Sequence, residues 1–170
     1  MTTMVLGDPP PPASLVAQRK SLGLDRHDEV WQGEYRMVPA ASFEHSMAGV
    51  ALVSLLAPIA SARGFCLSLE FNLGTSDDYR VPDLGVHRGA PTGVWLPTAA
   101  VVVEVRSPGD DSLAKFAFYF DRGVEEILLA DLAERSVRWF RRYEGAFVGG
   151  DASELLGVDA LTVAAALGWQ

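Results

Sequence analysis

The segment VVVEVRSPGDDSLAKFAFYFDR, residues 101–122, reads in succession as a buried strand, a tight turn and a helix. From Ala99 to Arg106 the chain is apolar on both faces, as a central strand of a sheet requires, and it carries one acid, Glu104, inside that run. Ser107-Pro108-Gly109-Asp110 supplies turn residues. A helix from about Asp111 to Asp121 then sets Leu113, Phe116, Ala117 and Phe120 on one face, with Gly123 as its stop. Phe118 and Tyr119 occupy the other flank, so this helix needs cover on two sides, from a sheet and from another helix or a second subunit. Burying a carboxylate or an ammonium costs several kcal/mol unless it is paired or metal-bound, which makes Glu104, and Lys115 on the helix, residues to be accounted for.

Reading outward, a short helix is expected over Leu15 to Leu22 and two short strands around Gly33. Ser42 is a good N-cap, with Glu44 in the first turn, for a helix starting near Phe43, broken or kinked at Pro58 and ended by Gly64. Strands follow at Phe65 to Leu73, Tyr79 to His87 and Ala99 to Arg106. After the second long helix come strands at Glu126 to Ala130 and Ser136 to Tyr143, and a short helix near Leu161 to Leu167. That order predicts an α/β fold, a mixed sheet flanked by helices. Residues 1–14, with four consecutive prolines from Pro9 to Pro12, read as a flexible lead-in, and residues 15–170 as a single domain.

Composition narrows the function. The net charge of -8 argues against broad nonspecific binding to nucleic acid, which depends on Lys and Arg, although Arg135, Arg138, Arg141 and Arg142 fall close together. The one cysteine, Cys66, sits in an apolar run and is expected to be a buried, inert thiol. The N-terminus lacks a signal-peptide pattern, and no run of about 18 apolar residues is free of charge and proline, so the expectation is a cytoplasmic protein away from membranes.

Pro82 fixes an extended backbone that presents Asp83 from a strand end, 21 residues before Glu104. Two carboxylates on adjacent strands can share Mg²⁺ (or Mn²⁺), which prefers oxygen ligands and acidifies a bound water, and a lysine nearby would orient or deprotonate that water. This points to a metal-dependent phosphodiesterase. Each residue also has a plainer reading: Asp83 as a strand end, Glu104 on an exposed edge, Lys115 as a solvated surface group. Lys115 reaches the acids only if the Phe118/Tyr119 flank packs near the strand ends.

Val81-Pro82-Asp83-Leu84, GEYRMVPAASFEHS and VVVEVRSPGDDSLAKFAFYFDRGVEEILLAD, taken in order over about residues 15 to 145, resemble the Uma-type restriction endonucleases of the PD-(D/E)XK nuclease superfamily. The resemblance implies a restriction-endonuclease-like core that cuts DNA, with Asp83, Glu104 and Lys115 catalytic and Asp83, Glu104 and Val105 as metal ligands. The superfamily lysine two residues beyond the acid is Arg106 here; arginine can bind phosphate but stays protonated. Lys115 stands where Uma-type proteins carry the displaced lysine. His45 matches a histidine near the start of the family's first helix, and Glu44 and Glu70 are further acids that could support the site. Two other readings stand beside the endonuclease: a catalytically weak nuclease-fold nucleic-acid-binding or accessory module, and a hydrolase of smaller phosphodiesters. A homodimer is also expected, from the aromatic surplus of the second helix.

Overall fold

Pro82 has no amide hydrogen to give to a sheet ladder, and it is here that the chain passes from one sheet to another. A computed structural model describes residues 11–169. The expected lead-in falls largely outside those residues, and helix α1 (Ala13–Ser21) already covers its last positions. Strands β1 (Glu29–Trp31) and β2 (Glu34–Arg36) form a hairpin, followed by helix α2 (Phe43–Ala62), β3 (Phe65–Leu69), β4 (Asn72–Thr75), β5 (Asp78–Arg80), β6 (Leu84–Arg88) and β7 (Trp95–Leu96). Then come β8 (Val101–Arg106), a 3-10 turn (Ser112–Lys115), α3 (Phe116–Asp121), β9 (Glu126–Asp131), β10 (Ser136–Tyr143), β11 (Ala146–Gly150) and α4 (Ala160–Ala166).

The strands make two mixed sheets, of order β2-β1-β5-β4-β7 and β11-β10-β9-β8-β6-β3. Two of the expected strands are therefore split. Phe65 to Leu73 parts into β3 and β4, and Tyr79 to His87 into β5 and β6, each pair divided between the sheets. Strands β8 and β9 run parallel at the centre of the larger sheet, joined through α3 as a strand-helix-strand unit. Both are buried, apart from Arg106 at the end of β8, as expected for parallel strands covered on each face.

The pleat of β8 sorts its residues. Val101, Val103 and Val105 face a core with Leu52, Leu56 and Trp139, under α2 and α4. Val102 faces the second core, with Tyr119, Ile127 and Leu73. Glu104, two residues on from Val102, shares that second face, under α3. At roughly 1.5–3 kcal/mol for each fully buried aliphatic side chain, these two cores supply the main driving force for folding. The aromatic residues of α3 are used inside the molecule. Phe116 packs edge-on against Phe140 and Phe147, Phe120 against Phe147, and Tyr119 is fully buried. Leu113, expected on the packed face, is exposed. Cover for α3 thus comes from β10, β11 and the smaller sheet, and its aromatic surplus gives no ground for a dimer.

Other expectations are corrected as well. Helix α2 runs unbroken through Pro58, whose missing donor would have served a carbonyl on the exposed side of the helix, within reach of water. Length and composition would suffice for this helix to cross a bilayer, but its Ala48, Leu52, Leu56 and Ala60 row packs on the larger sheet. Cys66 is exposed, because β3 is the edge strand of its sheet.

Buried acids tie the joints. Asp28 accepts hydrogen bonds from Arg19 at 2.7 and 2.8 Å, the Tyr35 hydroxyl at 2.6 Å and the Val38 amide at 2.9 Å, linking α1 to the β1-β2 hairpin. Asp131 accepts from the amides of Ala133 and Glu134, each at 3.0 Å, and from Arg106 at 2.9 Å. Burial pushes its carboxyl up, but these donors outweigh burial and hold it below its ordinary value. Asp131→Ala should lower stability by about 2 kcal/mol in urea unfolding at neutral pH, since two amides and a guanidinium lose their acceptor. A lowered carboxyl contributes stability above its ordinary pKa and loses it as pH falls through the folded value, so the gap between wild type and Asp131→Asn should shrink in acid.

Candidate active site

Where β6 begins and β8 ends, the larger sheet opens into a cleft of about 360 Å³, bordered by residues of β1, α2, the Val81–Asp83 link and the 3-10 turn that precedes α3. Asp83 is held at the first residue before β6, where Pro82 has stopped the ladder. One of its oxygens accepts from the Val105 amide at 2.7 Å, and the other bonds to His45 Nε2 at 2.8 Å. His45 stands in the first turn of α2, which Ser42 caps by accepting from the His45 amide, and its Nδ1 is 3.3 Å from the Ser107 hydroxyl. Burial opposes a charged imidazole here, but the hydrogen bond and charge of Asp83, with Asp110 further off, raise the His45 pKa above its ordinary value.

Glu104 is 2 % exposed, and its carboxylate meets the Tyr119 hydroxyl and Lys115 Nζ. Lys115 and Tyr119 are four residues apart across the junction of the 3-10 turn and α3, so one face presents both to the acid. The Tyr119 flank packs toward the strand ends, which is the condition on which the position of Lys115 depends. Its ammonium is 3.3 Å from Glu104 and 2.9 Å from Glu29. Burial raises the Glu104 carboxyl well above the usual carboxylate range; Lys115 pulls it back, while Asp83 and Glu29 add to the rise. Burial disfavours the Lys115 ammonium, yet Glu104 and Glu29 more than offset this and its pKa is raised. Lys115 therefore brings a fixed positive charge to the cleft rather than a basic amine. Tyr119, raised well above its ordinary value by burial and by Glu104, stays a neutral donor.

Glu29 was not anticipated as a site residue. It is 3 % exposed and accepts from the Val81 amide at 2.8 Å and from Trp31 Nε1 at 2.6 Å. The Trp31 ring is in turn packed by the guanidinium groups of Arg36 and Arg80, 3.7 and 4.2 Å from its centroid. An acid and a tryptophan alternating on a short strand, two residues from a Gly-centred turn, were the visible sign. Nothing in the sequence placed them opposite Val81. Tyr119 was likewise read only as part of an apolar flank.

The remaining candidates separate. Glu70 is at the rim of the cleft, exposed and 3.4 Å from His27. Glu44 is exposed beside a different, largely apolar cavity of about 880 Å³ between α2 and α4, which is larger than the cleft but gathers no buried acids. Arg106 is not in the cleft: it pairs with Asp131 at the far side of β8. The arginine cluster is partly spent within the fold, Arg141 on Glu154 and Arg142 on the Phe120 ring and carbonyl.

Among the described residues, no three His, Cys, Asp or Glu side chains form a ready-made metal site. What the cleft offers is oxygen: the carboxylates of Asp83 and Glu104, and the Val105 carbonyl. In an extended strand, the amide and carbonyl of one residue face the same edge, and the Val105 amide already points to Asp83. Two carboxylates and a carbonyl, completed by water, suit a hard cation such as Mg²⁺ or Mn²⁺ and not a soft one.

Comparison with known proteins bears on this geometry in two places. A crystal structure of "a putative nuclease belonging to DUF820" from Anabaena variabilis ATCC 29413 superposes with a TM-score of 0.66 at 17% identity, covering 82% of this chain and 90% of that one. At that identity the likeness speaks for the fold. Comparison with curated protein sequences gave no match. The Uma2 family model, described as "Putative restriction endonuclease", matches residues 20–169, a span that takes in β1, the cleft and both cores. The chain belongs to the Uma2 family of restriction-endonuclease-like proteins.

Proposed function

We propose that this protein is a Mg²⁺- or Mn²⁺-dependent endonuclease that hydrolyses phosphodiester bonds of DNA in the cleft at the end of β8. The observation that carries this reading is the convergence of Asp83, Glu104 and Lys115, from three separate elements, on one cleft. Asp83, Glu104 and the Val105 carbonyl would hold the cation, which would supply charge neutralisation at the phosphate and a more acidic bound water. The chain's own groups do the rest. His45 and the Val105 amide fix both oxygens of Asp83, and Tyr119 fixes Glu104, so the ligands are oriented before substrate arrives. Lys115 places a permanent charge beside Glu104, where it stabilises negative charge growing on a non-bridging phosphate oxygen. Overall, one water is consumed, a P–O ester bond breaks, and a phosphomonoester and an alcohol are released.

The acidity of the cleft bears on the substrate. Glu29, Glu70, Asp83, Glu104, Asp110 and Asp111 all border it, against Lys115 and His45, so a polyanion approaches favourably only once a cation is bound. DNA cleavage should therefore need the metal absolutely.

With plasmid DNA and Mg²⁺ or Mn²⁺, the wild type should nick or cut. Asp83→Ala and Glu104→Ala should each lose roughly a hundredfold or more in rate, and Lys115→Met a comparable factor, as for removal of one preorganised electrostatic group. Retained DNA binding with no cleavage by the wild type would favour the accessory-module reading instead. A second expectation concerns pH. A carboxyl raised by folding binds its proton more tightly in the folded state, so its contribution to stability is greatest in acid and is lost as pH climbs through the raised value. Thermal unfolding of metal-free protein should show this decline between about pH 5 and 8, and Glu104→Gln should flatten it.

A further inference from the structure

We infer that Glu29 is a positioning residue that retains the Lys115 ammonium when Glu104 gives its charge to a divalent cation. The inference rests on the reading above, that Asp83 and Glu104 hold such a cation, and goes beyond it by assigning a task to an acid outside that ligand set. Lys115 and a cation compete for the same carboxylate. The ammonium is 3.3 Å from one oxygen of Glu104 and 3.5 Å from the other, on the acid that has to serve the metal. If Glu104 were its only counter-charge, cation binding would leave a buried ammonium unpaired beside a second positive charge, which is among the costliest arrangements a protein interior can hold.

Glu29 removes that conflict. Its Oε1 is the nearer partner of Lys115, at 2.9 Å. Its place does not depend on Glu104, because the Val81 amide and the Trp31 indole each donate to it, and Trp31 is clamped between Arg36 and Arg80. The same carboxylate that keeps Lys115 also holds the backbone of Val81, two residues before Asp83. One acid on β1 thus sets the lysine and steadies the link that carries the first metal ligand. With Lys115 held this way, its charge stays in the cleft for the phosphate whether or not the cation is present.

The test is calorimetric titration of Mn²⁺ into the protein without DNA, for wild type, Glu29→Gln, Lys115→Met, the Glu29→Gln/Lys115→Met double variant and Asp83→Asn. Glu29→Gln should weaken Mn²⁺ binding by about tenfold or more, since the ammonium then rests on Glu104 alone. The double variant should return to within about threefold of wild type, because no ammonium is left to displace. Wild-type affinity in Glu29→Gln overturns the inference, and so does a loss that persists in the double variant, which would make Glu29 a ligand. If circular dichroism shows Glu29→Gln unfolded, Lys115→Met alone decides: tighter Mn²⁺ binding than wild type is expected, and equal or weaker binding contradicts the competition. Asp83→Asn separates the two levels of the argument. Should it bind Mn²⁺ as well as wild type, the metal reading itself fails; should it lose binding while Glu29→Gln does not, only the role of Glu29 falls.

Discussion

A buried ammonium held between two buried carboxylates, Lys115 between Glu29 and Glu104, is the constraint around which the described part of the molecule is arranged. None of the three charges is tolerable alone in that interior, and together they are tolerable only if three distant pieces of chain meet. Glu104 arrives on the central strand of the larger sheet, Lys115 at the start of the helix that crosses over that sheet, and Glu29 on the smaller sheet packed beyond the helix. The smaller sheet, which could be taken for decoration on the six-stranded core, is what delivers the second counter-charge. Tyr119 completes the arrangement by donating a hydrogen bond to Glu104 without adding a further charge.

The second constraint is covalent. Pro82 can neither donate to a ladder nor let Val81 adopt a helical backbone, so the chain leaves the smaller sheet at Arg80 and enters the larger one at Leu84. The three residues between belong to neither sheet, and two of their polar groups turn to the cleft: the Val81 amide to Glu29, and the Asp83 carboxylate to Val105 and His45. A proline that breaks a strand thereby becomes the device that turns Asp83 into the cleft. Gly85, just inside β6, serves the same corner, since a side chain there would collide with the ring of Phe71 stacked above it.

Much of this was legible in the residues. An acid within a β-branched run announces a buried carboxylate, a Pro-Asp pair announces a strand end, and Ser42 with Glu44 announces the start of a long helix. What the sequence could not settle was direction. Whether Lys115 faced the acids or the solvent turned on which flank of a nearly all-apolar helix met the sheet, and periodicity cannot choose between two apolar flanks. Glu29 escaped notice because its importance comes from a single cross-strand neighbourhood, β1 beside β5, that no local pattern encodes. Strands β4, β7 and β11 are short or Gly-rich and exist through their partners rather than their own propensity. Cys66 was misjudged for a related reason: its apolar neighbours predicted burial, but only the strand order reveals that β3 is an edge.

The claim at the centre of this account is that Asp83 and Glu104 jointly bind a divalent cation while Lys115 remains with Glu29. Crystals grown with Mn²⁺ and measured at an energy where manganese scatters anomalously would address both halves at once. One strong anomalous peak is expected, coordinated by the Asp83 and Glu104 carboxylates and the Val105 carbonyl, with the Lys115 ammonium still on Glu29. A peak that avoids either carboxylate, or no peak at saturating Mn²⁺, would contradict it.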